Sequence, residues 1–295
     1  MRILWRRMRC NIWPKPIEAY SGRMSISDAI QNPPCFIGRI TDVELRTAYD
    51  LHHGTLQNIV KNQAEIENNA GIHCKNPASL NKYAKRFLEA YDHCTHIAEW
   101  SKGEMHRLVG KAQEWIAERT PRTPKLSAMS LEPYYEADSG WMPALKGKRV
   151  LIIHPFAQTF QKQAMKISSL FPNRPWFEDC TLLFVKPPMT MAGNHQGRDW
   201  EEHLDAFLPT LDALEFDIAL VAAGGYGMLI SDVIFTRHRK SVIYIGGALQ
   251  LFFGVIGKRW FTNPDIMKLV TDDWVRPALE ERPPKYTNVE KGCYW

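Results

Sequence analysis

A doubly wound α/β fold, Rossmann-like, with a mostly parallel sheet flanked by helices, is what this sequence predicts, on three observations. Four apolar, β-branched runs are too continuously hydrophobic for a sheet with one wet face: RVLIIHP (149–155), TLLFVK (181–186), FDIALVAA (216–223) and SVIYIGG (241–247). Long helix-permissive stretches alternate with them, which calls for parallel strands joined by crossover helices. Glycines gather just past two of the runs, at 224, 225 and 227 and at 246 and 247, where such folds turn from strand into helix.

Taken in order, a basic arm at 1–24 precedes one composite domain at 25–295. Ser25 or Ser27 caps a short helix over 27–31, which Pro33-Pro34 closes. CFIGRI (35–40) reads as a buried strand, and Thr41 with Glu44 three residues later has capping-box spacing, so a helix starts there. Residues 55–69, 78–93 and 103–119 are expected to be helical, with Tyr83, Phe87 and Tyr91 four apart on one face. Pro121 and Pro124 end that region, so the first half is expected to supply one strand and several helices. In the second half the strands are followed by helices at about 157–170, 199–214 and 226–237. A long loop through Gly193, Asn194, His195 and Gly197 precedes the second of these.

Charge and cysteine usage narrow the classes. There are 37 Lys and Arg against 32 Asp and Glu, yet Arg2, Arg6, Arg7 and Arg9 alone account for most of the excess. Without them the body stands at 33 to 32, so a sustained basic stripe for nucleic acid is absent and none is expected as partner. The arm at 1–13 interleaves its arginines with Ile3, Leu4, Trp5, Ile12 and Trp13, a pattern suited to peripheral contact with an anionic membrane surface. A loosely packed terminus is the bland alternative. No run of about 18 uncharged apolar residues is present, and the six cysteines form no CxxC pair, which points to reduced thiols and a cytoplasmic location.

Three clusters sit past strand ends. Asp42 and Glu44, at i and i+2, can hold a divalent cation through oxygen ligands; the alternative is an acidic first turn facing the helix dipole. Gly224, Gly225, Tyr226 and Gly227 can cradle a phosphate at a helix N-terminus or form a tight, closely packed turn. Gly246 and Gly247 lead to Lys258, Arg259 and Trp260, where cations can neutralise a departing phosphate or form a solvated turn. His154 ends its strand beside the same crevice, as an acid, a base or a core histidine. His93-x-x-His96, in a helical region, has one-turn metal spacing without a second ligand pair. No P-loop, G-x-S-x-G or H-E-x-x-H motif is present, and G-G-x-G departs from the dinucleotide fingerprint, which tells against an oxidoreductase.

FIGRITDVEL (36–45) resembles the strand and D-x-E element of the GT-D type glycosyltransferases, while LEPYY (131–135), GKRVLIIHPFAQTFQKQ (147–163), FDIALVAAGGYG (216–227), SVIYIGGALQLFFGVIGKRW (241–260) and VEKGCYW (289–295) resemble a related group of bacterial or viral proteins with that domain, over roughly residues 25–295. The D-x-E element carries the resemblance, although Thr41-Asp42-Val43-Glu44 stands where that family commonly shows G-D-G-E. The resemblance implies a metal-dependent transferase that takes a sugar from a nucleotide-sugar, UDP-linked, to a glycan or lipid-linked acceptor in surface polysaccharide or glycoprotein glycan synthesis. Asp42 and Glu44 would hold Mn²⁺ or Mg²⁺, with Gly38, Arg39, Gly224–Gly227 and Gly247 bordering the nucleotide and Lys258 or Arg259 assisting. Glu132, Asp138 and His154 are the candidates for a catalytic base. The alternative is a non-catalytic nucleotide- or sugar-binding subunit of a polysaccharide assembly complex.

Overall fold

The expected sheet forms, and it is larger than the sequence reading. In the computed structural model, which describes residues 20–101, 103–136 and 139–295, seven strands make one all-parallel sheet. Helix α1 (Tyr20–Gln31) leads into β1 (Phe36–Arg39), followed by α2 (Val43–His53), α3 (Leu56–Glu65) and a π-helical turn at Ile66–Ala70. Helix α4 (Pro77–Asp92) precedes β2 (His96–Glu99), and α5 (Gly103–Arg119) precedes β3 (Lys125–Ser127). The second half runs β4 (Arg149–Ile153), α6 (Ala157–Ala164), α7 (Ile167–Leu170), β5 (Thr181–Val185), α8 (Trp200–Phe207), α9 (Pro209–Asp212), β6 (Ile218–Val221), α10 (Gly227–Thr236) and β7 (Ser241–Tyr244). A 3-10 segment, Gly246–Phe253, and α11 (Pro264–Met267) lead into a largely irregular tail.

The first half thus supplies three strands rather than one. His96 opens β2 instead of lying on a helix, and His93 pairs with Asp232 at 2.7 Å while His96 contacts Thr95, so the i,i+3 pair does not form a ligand set.

The period-two alternation of the strands splits the core between two faces of the sheet. Ile37, Val150, Ile152, Ile218, Leu220 and Ile243 pack on one side with Trp141, Phe160 and Phe252. Phe36, Leu151, Ile153, Ala219, Val221 and Val242 pack on the other with Tyr83, Phe87 and Trp200. Every one of these residues is fully withdrawn from water, which explains why the strands read as unbroken apolar runs.

Strand order is β3-β2-β1-β7-β6-β4-β5. The chain moves outward from β1 to β3, restarts at β4, steps to the edge at β5 and returns through β6 to β7, which closes beside β1. Connections therefore diverge at two places along the carboxyl edge, between β1 and β7 and between β4 and β6. Crevices at such switch points are where open α/β sheets take ligands.

Candidate functional site at the carboxyl edge

Asp42 and Glu44 sit at the first of these crevices because α2 begins directly after β1. Asp42 occupies the N-cap position of α2, but its carboxylate does not cap the helix. It turns instead to Arg46, whose Nε donates to Oδ1 at 2.6 Å. Arg46 goes on to donate to Asn62 and Glu65, at 3.2 and 2.9 Å, so one guanidinium ties α2 to α3.

Glu44 has no such cation. It is 7% exposed, and burial foremost, with the charge of Asp42 adding to it, pushes its carboxyl up to about 7. Three phenols lie within its electrostatic reach, Tyr83, Tyr91 and Tyr244. All three hydroxyls are spent on backbone carbonyls: Tyr83 donates to Gly225, Tyr91 to Arg39 and Tyr244 to Gly224, at 2.8, 2.9 and 3.2 Å. The result is two neighbouring carboxylates, one of them desolvated, whose ionised forms repel each other.

Arg39, the last residue of β1, is buried as well. Its guanidinium lies over the Trp100 ring, 4.6 Å from the centroid, and donates to Glu132 Oε1 at 2.7 Å and to the Ile245 carbonyl. The other oxygen of Glu132 accepts the Tyr134 hydroxyl at 2.6 Å. Both carboxylate oxygens of Glu132 are therefore engaged, and its place in the fold is to hold Arg39. Tyr244 lies within electrostatic reach of Glu44, Arg39 and Tyr294.

His154 stands away from that group. It is 3% exposed, stacks on Phe160 at 4.3 Å and accepts the Phe156 N–H on Nδ1 at 3.0 Å. Burial pulls its pKa down to about 3, so the neutral ring is the form the fold accommodates, in the manner of a core histidine. Asp138 lies outside the described residues, as does the basic arm at 1–13.

The glycines past the strands are explained by the chain's own packing. A Cβ at Gly224 would come within 2.9 Å of the Ala70 carbonyl oxygen, one at Gly225 within 2.3 Å of Ile72 Cγ1, and one at Gly227 within 2.1 Å of the Tyr244 ring. A Cβ at Gly247 would come within 2.6 Å of the Tyr294 ring, and one at Gly38 within 2.5 Å of Cys94 Sγ. Tyr226 is buried, with its hydroxyl shared between Thr190 and Gly71. The turn at 224–227 is thus filled by residues 70–72, the tight-turn alternative, and does not present its amides to an open cradle. Lys258 and Arg259 are exposed, and Arg259 lies over Trp260 and Tyr294, at 5.3 and 4.9 Å.

One cluster has no counterpart in the sequence reading. Glu67, in the π-helical turn, meets His73 Nδ1 at 3.1 Å and His195 Nε2 at 3.4 Å. The two imidazoles stack face to face, 3.6 Å apart and 10° from parallel. His195 Nδ1 accepts the Gly197 N–H at 3.0 Å, which puts the neutral ring's proton on Nε2, facing Glu67. A metal bound to both rings would have to lie in both ring planes, which parallel rings do not permit without turning. The arrangement is a hydrogen-bonded clamp that fastens the loop after β5 to the turn after α3. His195 lay in a loop already conspicuous for its glycines, but its partners stand more than 120 residues upstream.

Comparison of the chain with family models, with curated proteins and with solved structures returns no match in any of the three. Among the described residues no helix is long and apolar enough to cross a membrane.

Proposed function

We propose that this chain is a metal-dependent glycosyltransferase that moves a sugar from a nucleotide-sugar, UDP-linked, onto a glycan or lipid-linked acceptor. The observation that carries the reading is the Asp42–Glu44 pair at the β1/β7 switch point: Glu44 is held out of water, and the charge of Asp42 raises it further. A divalent cation relieves that repulsion, and an all-oxygen donor set suits Mg²⁺ or Mn²⁺. Asp42, anchored by Arg46 through one oxygen, and Glu44 would hold it.

When bound, the cation supplies charge neutralisation at a departing diphosphate. The remaining roles belong to this chain's own side chains. Glu132, itself held by Tyr134, fixes Arg39 over Trp100, so Arg39 would serve as a preorganised cation in this reading. Lys258 and Arg259 add exposed positive charge. Glu132 and His154 act as supports in this reading, the first by holding Arg39 and the second by filling the core above β4.

The test is donor hydrolysis across UDP-, GDP- and CMP-sugars with and without Mn²⁺, followed by the double substitution Asp42→Asn, Glu44→Gln. Release of UDP that depends on Mn²⁺ and is lost in the double variant supports the reading. Unchanged release in that variant overturns it. Metal-dependent UDP binding with no release from any donor would instead make the chain a nucleotide-binding subunit. Deleting residues 1–13 is expected to weaken liposome binding and leave soluble donor hydrolysis intact.

A further inference from the structure

We infer that Arg276 and Arg282 form a second anion site, a two-guanidinium cradle for a phosphate or diphosphate group, where the C-terminal tail crosses the first turn of α6. The site uses neither Asp42 nor Glu44 and does not rest on sugar transfer.

The tail is fastened over the start of α6, the helix that follows β4. The Ala278 N–H donates to Thr159 Oγ1 at 3.1 Å, and Glu281 accepts the N–H groups of Gln158 and Thr159 at 2.8 and 3.3 Å. Further along, Tyr286 packs on Trp295 at 5.5 Å, and Trp295 packs on Phe156 at 5.9 Å. Glu281 is thereby committed to the first turn of α6, and its charge is not aimed at the arginines on either side of it.

Each arginine is half-buried and laid on an aromatic ring: Arg276 over Phe261 at 4.9 Å, Arg282 over Tyr286 at 5.6 Å. The Nε of each is shut off from water with no hydrogen-bond partner. Among the described residues neither guanidinium forms an ion pair, whereas Arg39, Arg46, Arg119, Arg149 and Arg237 all do. The two also act on each other: after burial, the charge of Arg282 is the next cause that lowers the pKa of Arg276.

Two half-buried cations within electrostatic reach of each other, each with a buried, unpartnered Nε, form an arrangement that a bound anion stabilises. Planar forks with Nε and Nη donors match tetrahedral oxyanions in bidentate fashion, and rings beneath them fix the forks in place. A single carboxylate carries one negative charge against the two positive charges of the pair. A phosphate or diphosphate group offers three or more strong acceptors and a charge near that of the pair.

Calorimetric titration of the full chain with pyrophosphate and inorganic phosphate, in EDTA and at constant ionic strength, tests this. Pyrophosphate is expected to bind without metal, about tenfold or more weaker in Arg276→Gln and in Arg282→Gln, and undiminished in Asp42→Asn, Glu44→Gln. Absent binding in EDTA, or unaltered affinity in the two Gln variants, overturns the inference. Wild-type protein supplies a measurement free of folding effects: pyrophosphate is expected to protect Arg276 and Arg282 from an arginine-specific dicarbonyl reagent, read by peptide mass. Equal modification with and without pyrophosphate would also overturn it. Because both readouts exclude metal, they stand or fall separately from donor hydrolysis.

Discussion

Glu44→Gln replaces a carboxyl that ionises near pH 7 with a neutral side chain of the same shape. In the unfolded chain Glu44 titrates near its ordinary 4.5, and in the fold at about 7. The folded protein therefore holds the extra proton between those values. Its contribution to stability is complete below pH 4.5 and is lost as pH rises through 7. That displacement corresponds to about 3 kcal/mol, and because the group is only 7% exposed, little of it is screened away. In EDTA, urea unfolding of wild type and Glu44→Gln is expected to give similar free energies at pH 4.5, with the variant gaining about 3 kcal/mol relative to wild type by pH 8. Mn²⁺ at pH 8 should then stabilise wild type and not the variant, since the cation takes the proton's place. Asp42→Asn, which removes the neighbouring negative charge, should shift the wild-type transition to lower pH. A difference between wild type and Glu44→Gln that stays constant from pH 4.5 to 8 would refute the reasoning about this carboxyl.

His154 runs in the opposite direction. Its folded pKa of about 3 lies below the ordinary 6.5, so its contribution is complete above 6.5 and is lost as pH falls towards 3, by about 5 kcal/mol at most. His154→Phe should flatten that acid limb in the same titration, and an unchanged limb would show that another group is responsible. Gly227→Ala is expected to cost about 1–3 kcal/mol, because its Cβ would lie 2.1 Å from the Tyr244 ring. Gly110→Ala, in α5 with open space around it, should instead stabilise by about 0.5–1 kcal/mol; equal effects in thermal unfolding would discount the packing explanation. Glu132→Gln leaves Arg39 short of its ion-pair partner and should lower stability by about 3–5 kcal/mol, whereas a carboxylate serving only as a base would lose turnover at unchanged stability. Glu67→Ala should speed hydrogen exchange at the Gly197 amide by releasing His195, while exchange in β6 stays as it was.

What the sequence disclosed follows from where each signal resides. β4, β6 and β7 are buried on both faces, so hydrophobicity alone marks them. β2 and β3 escaped notice because their stability lies in their neighbours. His96–Glu99 buries only Ile97 and Ala98, Lys125–Ser127 only Leu126, and their ladder bonds to β1 and to each other do the rest. The same division holds at the carboxyl edge. The i,i+2 spacing of Asp42 and Glu44 is visible in one dimension, but the raised pKa of Glu44 depends on burial against residues from α4 and β7. Glycine composition announces that something approaches the backbone at 224–227 without saying what; Ala70 and Ile72, about 155 residues upstream, turn out to be the visitors. Arg276 and Arg282 follow no motif, and Glu281 between them reads as an ordinary salt-bridge partner. Only the tail's path over α6, which draws Glu281 to the Gln158 and Thr159 amides, leaves the two guanidiniums without a carboxylate. A charge pattern that looks neutral along the chain thus becomes locally unbalanced in space, and that imbalance is what an anion would recognise.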